Sequence, residues 1–523
     1  MVVKSIVKTG EYFDSVTLML VARELSSRPG VEDAAVVMGT AENKSILKAS
    51  GLLSPELASC GDADLAVCVK ADDEPSAARA LGEAEALLKG ARRKGGAQGT
   101  FQPKSLDGAL KALPEANMAM ISVAGKYAGE VAMDALRQGL HVMLFSDNVP
   151  LETEVALKTF AREKGLLVMG PDCGTAIING VPLAFANAVS RGEIGLVAAS
   201  GTGLQEVSSI ISNEGGGISQ AIGTGGRDVK KEVGGIMLLE GLAALNADEA
   251  TKVIVLVSKP PHEDVLKKLG AAVAGSRKPV VAVFLGADPK AVAGYGMTAA
   301  VTLEEAALLA VALAKSRAPG SVADRLKSQE AALDESAGQE AGLFKKGQRY
   351  LRGLFSGGTF CGEAQVIFRG MLGEVRSNAP LPPSQPLADV WKSQGHTVVD
   401  LGEDEFTVGR PHPMIDFSLR NRRILDEAKD PETAVILLDV VLGYGSNMDP
   451  AGELVPAIMQ ARQLAAEAGR RLVFACSVTG TDQDPQSRGK VARRLEQAGA
   501  KVLPTNAAAA RFAGRVVQKL EVL

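Results

Sequence analysis

The sequence predicts an α/β protein built from parallel β-sheets. Short apolar segments alternate with amphipathic ones along most of the chain, which is the pattern of strands that alternate with helices. Aromatic residues make up only 4% of the chain while Ala, Val, Leu and Gly are abundant, a composition that favours βα repeats over an all-β fold. The 523 residues are enough for several domains of roughly 100–200 residues each.

Residues 1–90 are predicted to form a small α/β module. Strands are expected at 2–7, 31–37 and 63–69, and a helix at 14–25. The segment that follows, residues 91–103, combines charge, Gly and Pro, which predicts an exposed connection.

Residues 91–190 are predicted to form a Rossmann-like domain with a parallel sheet. Strands and helices alternate through this segment as strand 118–123, helix 129–138, strand 141–145, helix 152–164 and strand 166–169.

Residues 191–315 form the next predicted domain, and they begin with a phosphate-type turn. The apolar strand 194–199 runs directly into Ser200-Gly201-Thr202-Gly203, and an amphipathic helix follows. Backbone N–H groups at a helix N-terminus lack intrahelical partners and carry the positive end of the helix dipole, so they bind anions. The alternative is an ordinary tight βα turn of a parallel sheet.

A second Gly-rich turn, residues 223–228, favours the anion-site interpretation. It lies one βα unit after the first turn, and the carboxyl ends of parallel strands meet at one sheet edge. Further strands are expected near residues 253 and 280. We therefore predict a phosphate site formed by Ser200, Gly201, Thr202, Gly203, Gly225, Gly226 and Arg227.

The remainder of the chain is predicted to be a linker, residues 316–346, and a second α/β half, residues 347–523. The linker is polar and partly helical. The second half contains the turn Gly357-Gly358-Thr359 before a helix, then strands at 398–401, 434–438 and 472–476 and a closing helix. Two similar halves indicate duplication or fusion.

Charge and cysteine content exclude several classes of protein. The net charge of −4 offers no basic surplus for nucleic acid or an anionic membrane, so neither is an expected partner. The N-terminus lacks the apolar core of a signal peptide and no apolar run approaches a membrane span, so we expect a soluble, cytoplasmic protein. Five cysteines without a CxxC pair and four histidines predict reduced thiols and no metal site.

Several motifs from about residue 115 onward resemble succinyl-CoA synthetases. Residues 144–181 resemble the CoA-binding region of the α subunit, and the turns 170–174 (GPDCG) and 199–202 (ASGT) are similar to turns of that subunit. Residues 438–445 and 472–510 resemble the ligase domain of the β subunit. The resemblance implies a Rossmann-like CoA-binding-type domain at 91–190 and two flavodoxin-like ligase domains at 191–315 and 347–523.

More narrowly, the chain is identified as a member of the FdrA family. The family likeness lies in residues 409–416 (GRPHPMID), in residues 480–486 (GTDQDPQ) and in the added N-terminal module. FdrA proteins have been labelled acyl-CoA synthetases. The resemblance also implies a role in oxamate carbamoyl transfer during allantoin breakdown, beside two unrelated partner subunits, in a homo-oligomer or hetero-complex.

The chain departs from the synthetase pattern where that pattern requires a phosphorylated histidine. The matching stretch, residues 284–300, contains Tyr295 and no histidine. A phenol with a pKa near 10 stays protonated at neutral pH, whereas imidazole near 6.5 offers a free nitrogen. Residues after 118–123 do not supply GxGxxG, and the chain has neither an ATP-grasp module nor a GxxxxGK[ST] loop. We therefore expect no phosphohistidine relay and no ATP chemistry in this chain alone.

Three side chains are predicted to be catalytic: His412, Arg410 and Glu240. His412 lies between two prolines in a rigid loop, Arg410 can grip an anion bidentately, and Glu240 lies in an apolar run where an unpaired carboxylate is costly. With Gly409, the turn at 408–410 is expected to oppose Ser200 across a two-part clamp. Asp416 either orients the His412 imidazole or caps a helix.

The leading hypothesis is a carbamoyltransferase subunit that interconverts oxalurate plus phosphate with oxamate plus carbamoyl phosphate. Phosphate is then a co-substrate, and no other cofactor is expected. The alternative is an NDP-forming acid–CoA ligase, and only that alternative implies CoA. A third hypothesis is a regulatory or scaffold subunit.

Overall fold

The computed structural model describes residues 1–521 except 12, 14, 95–102, 104, 346, 408 and 409. The described chain folds into four β-sheets, two of three strands and two of seven.

The N-terminal module is an antiparallel sheet with helices on both faces. Its elements are β1 (Val2–Lys8), α1 (Ser15–Ser26), β2 (Val31–Met38), α2 (Ala41–Ala49), α3 (Pro55–Ser59), β3 (Leu65–Ala71) and α4 (Glu74–Lys94). The strand order is β1-β3-β2, with Ser5 and Ala35 both opposite Cys68. Residues 91–94 of the predicted exposed connection are the last turn of α4, and residues 95–102 lie outside the described part of the chain.

A small parallel sheet follows in the order β4-β5-β6. Its unit consists of α5 (Leu106–Ala112), β4 (Met118–Ile121), α6 (Gly125–Arg137), β5 (His141–Leu144), α7 (Leu151–Glu163) and β6 (Val168–Met169). Strands and helices alternate as predicted, although α6 begins at Gly125, four residues earlier than expected.

The first seven-stranded sheet has the order β13-β12-β11-β9-β10-β7-β8. Strands β9 to β13 run parallel, and the β7–β8 hairpin adds an antiparallel edge through β10. The elements are β7 (Thr175–Ile178), β8 (Val181–Ala184), β9 (Arg191–Ala198), α8 (Gly201–Asn213), β10 (Ile218–Gly223), α9 (Ile236–Ala247), β11 (Val253–Ser258), α10 (Glu263–Ala274), β12 (Val280–Phe284), α11 (Pro289–Ala293), β13 (Thr298–Ala300) and α12 (Leu303–Ala314). We call this unit the first half.

The segment predicted to be a partly helical linker contains one long helix, α13 (Gly320–Ala341), followed by a short connection. This helix packs on the last helix of the chain, α19 (Asn506–Leu520), where Arg515 pairs with Asp334 and Glu330. The connection is therefore fastened to the second half.

The second half is an all-parallel sheet with the order β16-β15-β17-β14-β18-β19-β20. Before α19 it contains β14 (Tyr350–Phe355), α14 (Gly358–Phe368), β15 (Val375–Ser377), β16 (Gln385–Pro386), β17 (His396–Asp400), α15 (Asp404–Thr407), α16 (Ser418–Lys429), β18 (Thr433–Val441), α17 (Pro450–Glu467), β19 (Val473–Thr479), α18 (Arg488–Gln497) and β20 (Lys501–Leu503). The predicted strands at 398–401, 434–438 and 472–476 fall on β17, β18 and β19.

The two halves share one hydrophobic core. Leu204 and Val207 of α8 belong to the same buried cluster as Phe360 and Phe368 of α14 and Phe512 of α19. The first helix of one half thus packs against that of the other, and this contact brings the two helix N-termini together.

Candidate functional site

The site begins where β9 runs into α8. Ser200 has an extended backbone at the N-cap, and its Oγ accepts the N–H of Gly203 at 3.0 Å. A Ser N-cap satisfies only one of the free N–H groups of the first turn. Gly201 and Thr202 are the first two residues of α8, and their N–H groups belong to the part of a helix that binds anions.

The N-terminus of α14 faces this turn from the second half. The hydroxyls of Ser200 and Thr359 hydrogen-bond to each other, and a Cβ placed on Gly357 would lie only 2.9 Å from Cγ2 of Thr202. Ser200 and Gly357 precede their helices, and Thr202 and Thr359 are second in theirs, so the contacts are exchanged as across a local two-fold axis. The helix terminus of the second half that opposes Ser200 is that of α14; of the turn predicted at 408–410, residues 408 and 409 lie outside the described residues and Arg410 pairs with Asp33.

Asp439 fixes the α14 turn from below. Its carboxylate accepts the N–H groups of Ser356 at 2.7 Å and Gly357 at 2.8 Å and the Ser356 hydroxyl at 2.9 Å. Nη1 of the buried Arg420 lies 3.1 Å from the same carboxylate. Burial raises the pKa of Asp439, while Arg420 opposes that rise. Asp439 is therefore a support for the turn, and its oxygens are fully engaged.

Asp400 lies at the carboxyl end of β17, beside the first residue of α14. Its Oδ1 accepts the N–H of Gly402 at 2.9 Å, and Oδ2 lies so close to Gly358 that any side chain there would collide with it. The side chain is buried. Burial, followed by the nearby Glu403, raises the pKa of Asp400 to about 7. At neutral pH this carboxyl can hold or release a proton.

His412 lies beside Gly402, the residue whose N–H is bonded to Asp400. Its Nδ1 accepts the N–H of Met414 at 3.2 Å, so the neutral ring carries its proton on Nε2, which faces Gly402. The ring also stacks obliquely with Phe185 of the first half, with centroids 6.0 Å apart. Burial lowers the pKa of His412 to about 4. The imidazole is a neutral hydrogen-bond donor.

Asp416 is a helix cap and not a partner of the imidazole. Its Oδ1 accepts the N–H of Ser418, the first residue of α16, at 2.7 Å. Of the two roles predicted for Asp416, the structure shows the capping role.

Four carboxyl groups lie close enough to influence one another's charge, and we call them the acidic rim. Asp147 and Asp172 come from the β4–β6 unit, and Glu403 and Asp404 come from the second half. Burial raises the pKa of Asp172 to about 6, with further contributions from Asp147 and Asp404. The pKa values of Asp147 and Glu403 are raised as well, chiefly by burial. These carboxyl groups offer oxygen atoms that can accept hydrogen bonds from a ligand.

Two predicted site arginines are engaged elsewhere. Arg410 pairs with Asp33 of the N-terminal module and lies over the ring of Trp391. Arg227 pairs with Glu154 at 2.8 Å and donates to the carbonyl of Val149. Neither guanidinium contacts Ser200.

The remaining predicted residues are dispersed. Gly225, with φ +81°, packs against the backbone of Pro171, while Gly226 is exposed. Glu240 is half-buried on α9, and Gly409 lies outside the described residues.

Tyr295, which lies in the stretch predicted to match the synthetase histidine turn, has a packing role. Its ring is partly buried, lies against Gly270 of α10 and packs on the outside of the core of the first half. The absence of a phosphohistidine relay stays a prediction.

Thr359, Asp400 and Asp439 are site residues that sequence reasoning did not select. A polar residue at or just beyond the carboxyl end of a parallel strand was the available signal, in VVDLG for Asp400 and LLDVV for Asp439. Thr359 stood in the noted turn, but only the packing of the halves places it against Ser200.

The fold and site define a class: a single chain that fuses two ligase-type α/β halves, with facing helix N-termini between them. Residues 354–516 match the family described as CoA-ligase, residues 189–286 match the CoA binding domain, and residues 1–103 match the AllF heavy metal-associated domain. The chain belongs to the FdrA family of succinyl-CoA synthetase-like proteins.

Full-length similarity carries the family assignment. The chain is 44% identical over 499 residues to the uncharacterized protein YahF of Escherichia coli, covering 95% of each protein. It is 27% identical to a succinate–CoA ligase α subunit of Archaeoglobus fulgidus and 26% identical to the sulfoacetate-CoA ligase subunit SauD of Bilophila wadsworthia. Those matches cover 35% and 33% of this chain, and 61% and 59% of the relatives.

Solved structures resemble the chain more distantly. An ATP citrate lyase of Methanothrix soehngenii aligns over 41% of both chains, with 18% identity and a TM-score of 0.36. A dinucleotide-forming acetyl-coenzyme A synthetase of Ca. Korarchaeum cryptofilum aligns over 82% of this chain and 88% of its own, with 14% identity and a TM-score of 0.34.

The N-terminal module does not fit a heavy metal. Its cysteines, Cys60 and Cys68, are buried, and each thiol donates to a backbone carbonyl. Burial raises the pKa of Cys68 to about 12, which disfavours the thiolate form that a metal ligand takes. Among the described residues no group of three or more His, Cys, Asp or Glu side chains could hold a metal ion.

The turn before α6, where a Rossmann-like unit would bind the phosphates of CoA, is closed. A Cβ on Gly125 would collide with the carbonyl of Asp147, and Lys126 pairs with Asp62 of the N-terminal module at 2.7 Å. The residues at this turn do not fit a pyrophosphate.

Among the described residues, no helix is long and apolar enough to cross a membrane.

Proposed function

We propose that the chain is the carbamoyl-transfer subunit of a multi-subunit enzyme, with phosphate bound between the N-termini of α8 and α14. The observation that carries the proposal is the contact of Ser200 with Thr359, which brings two helix N-termini together. Free N–H groups, three hydroxyls and two helix dipoles favour an oxyanion there.

Phosphate is the acceptor in this proposal, and no phosphoenzyme forms. A phosphate oxygen attacks the terminal ureido carbonyl of oxalurate, and the bond from that carbon to the internal nitrogen breaks. The proton carried by phosphate is passed to the leaving nitrogen, which gives oxamate and carbamoyl phosphate. Asp400 is suited to this transfer because its pKa of about 7 allows it to accept and return a proton.

His412 has a separate role. Its Nε2–H donates to the oxygen on which charge develops during attack. Because the pKa of the imidazolium form is lowered to about 4, the ring is neutral at neutral pH and acts as a hydrogen-bond donor. The acidic rim accepts hydrogen bonds from ureido N–H groups. Arg410 has no assigned step because it is paired with Asp33. Glu240, which is half-buried on α9, has no assigned step either.

The test uses the chain assembled with its partner subunits, supplied with oxalurate and phosphate. Carbamoyl phosphate is the expected product. The pH profile of kcat/KM should inflect near pH 7 because of Asp400. Asp400→Asn should abolish the inflection, whereas His412→Gln should lower the rate and leave the inflection in place. Absence of carbamoyl phosphate from an intact complex would reject the proposal.

Binding of inorganic phosphate to the chain alone gives a second test. Ser200→Asp places a carboxylate in the proposed site and should abolish the calorimetric signal. Asp482→Asn is the matched control, since Asp482 caps α18 and its carboxyl is mostly exposed. If Ser200→Asp and His412→Ala both leave the activity of the complex intact, the chain is a scaffold or regulatory subunit.

An acid–CoA ligase is the second candidate, and the matches to the CoA-ligase and CoA binding families favour it. It predicts that CoA binds the chain with measurable heat and that a complex with a nucleotide-binding partner forms a thioester from a carboxylic acid. Calorimetry with CoA, with inorganic phosphate as the parallel titrant, separates the two candidates.

A further inference from the structure

The loop that carries His412, residues 410–416, is held at both ends by the N-terminal module. We call it the His412 loop. At its start, Arg410 pairs with Asp33 of β2, and both side chains are less than a quarter exposed. At its end, Arg23 of α1 donates to the carbonyl of Ile415 at 3.5 Å and lies 3.9 Å from the Asp416 carboxylate.

A second layer ties the same arginine to the second half. Arg23 pairs with Glu453 of α17, and Asn447 donates to Glu453 at 2.8 Å and to the carbonyl of Ile415 at 2.9 Å. One carbonyl of the His412 loop therefore receives donors from two domains. Arg422 of α16 adds a donor to the backbone of Glu32.

Within the loop, the N–H groups of Ile415 and Asp416 form a turn by donating to the carbonyl of His412 at 2.8 and 3.1 Å. Pro411 and Pro413 flank His412, and neither has an N–H with which to anchor the backbone. The ring itself is held by the N–H of Met414 and by contact with Phe185. Because two prolines make the segment stiff, a displacement at Arg410 or Ile415 is transmitted to the imidazole.

We propose that the N-terminal module is a positioning domain for the site: Arg23 and Asp33 hold the His412 loop so that the imidazole Nε2 faces the floor of the cleft at Gly402. The catalytic consequence rests on the proposed function, whereas the position of His412 does not. In this role the N-terminal module needs no bound metal, which is consistent with its buried thiols.

The ring nitrogens of histidine report the position directly. The chain has four histidines, so a ¹⁵N-histidine spectrum of the full-length protein contains four ring systems, and His412→Gln assigns the one of interest. Arg23→Ala and Asp33→Asn are each expected to shift or broaden the His412 signals and to leave those of His141, His262 and His396 unchanged.

A matched control distinguishes positioning from general damage to the module. Glu83→Ala removes an ion pair with Arg28 at 2.8 Å inside the module and should leave the His412 signals in place. The double variant Asp33→Arg with Arg410→Asp restores an ion pair of reversed polarity and should recover the wild-type signals. Unchanged His412 signals in folded Arg23→Ala and Asp33→Asn proteins would overturn the proposal.

Activity of the assembled complex gives the kinetic consequence. If His412 acts in the reaction, Arg23→Ala should lower kcat by up to about 100-fold with little change in KM, as expected when a catalytic group is misplaced by roughly 1 Å. A shifted His412 spectrum with unchanged kcat would keep the positioning role and reject the catalytic role of His412.

Discussion

Asp400 and His412 both lie next to Gly402, and burial shifts their pKa values in opposite directions. Burial disfavours the charged form of each, so it raises the pKa of the acid to about 7 and lowers that of the base to about 4. The histidine that the sequence singles out is therefore a fixed donor, and the proton-exchanging group near neutrality is a carboxyl that the sequence did not mark.

The raised pKa of Asp400 predicts a pH-dependent stability difference. Because the folded-state pKa lies above the ordinary value of 3.8, its favourable contribution is complete below about pH 4 and is lost as pH rises through 7. Asp400→Asn removes this titration. Its free energy of unfolding relative to wild type should rise between pH 5 and pH 8, by on the order of 1–4 kcal/mol in urea titrations.

Asp482→Asn is the control for that measurement. The pKa of Asp482 is lowered, chiefly by the N–H of Gly489, so its stabilising contribution is present above the ordinary pKa and lost in acid. This variant should show no relative gain between pH 5 and pH 8. A gain equal to that of Asp400→Asn would contradict the assignment.

Gly358 predicts a steric test of the anion site. In Gly358→Ala the new Cβ collides with Oδ2 of Asp400, which is buried and held by Gly402, so the floor must shift at a cost of about 1–3 kcal/mol. Phosphate affinity measured by calorimetry should fall. Gly370→Ala, where a Cβ meets open space, should bind phosphate like wild type.

At the scale of elements, the two halves cap each other's last helix. Glu206, the sixth residue of α8, accepts the N–H of Asn506 at the start of α19 at 2.9 Å. Glu363, the sixth residue of α14, accepts the N–H of Leu303 at the start of α12 at 2.7 Å. A carboxylate from each half thus caps a helix of the other. This exchange fixes how α8 and α14 meet, and therefore the width of the gap between them.

The exchanged caps predict coupled stability effects. Glu206→Ala and Glu363→Ala each leave buried donors unsatisfied, which costs about 1–3 kcal/mol per group. Because Asn506 contacts both carboxylates, the double variant should deviate from additivity by about 0.5–3 kcal/mol in denaturant titrations. Additive losses would show that the two caps act independently. Glu85→Ala, at an exposed pair, is the control.

At the scale of the whole molecule, a buried ionic cluster joins the β4–β6 unit to the first half. Lys158 of α7 lies 2.8 Å from Glu154 and 2.8 Å from Asp228 and donates to the carbonyl of Thr224. Asp228 also accepts the N–H of Leu238 in the first turn of α9. The second Gly-rich turn therefore serves the joint between units, which explains why Arg227 is turned toward Glu154.

Lys158→Met should destabilise the protein severely. Removing one member of a fully buried ion cluster leaves uncompensated carboxylates, at a cost of about 3–5 kcal/mol. Lys267→Met breaks an exposed pair with Glu263 and should change stability by less than about 0.5 kcal/mol. Calorimetric unfolding compares the two variants, and similar small losses would contradict the structural role.

Local sequence determined the elements and one half of the site. The alternation of apolar and amphipathic segments specified the strands and helices, because side-chain burial on a parallel sheet follows local periodicity. The strand-to-turn pattern at Ser200 specified an N-cap, because capping is a contact between residues three apart. The absence of a histidine at Tyr295 was equally local, and it argued against a phosphoenzyme.

Only the tertiary structure decided what faces Ser200. Thr359, 159 residues away, meets it because the two halves pack through a common core, and neither residue carries a local mark of that contact. The same long-range packing turned Arg410 toward Asp33, buried Asp400 until its pKa approached 7, and placed Arg23 against the His412 loop. Contact and burial depend on distant segments, so the sequence could predict the helix N-terminus at Ser200 but not the residue that faces it.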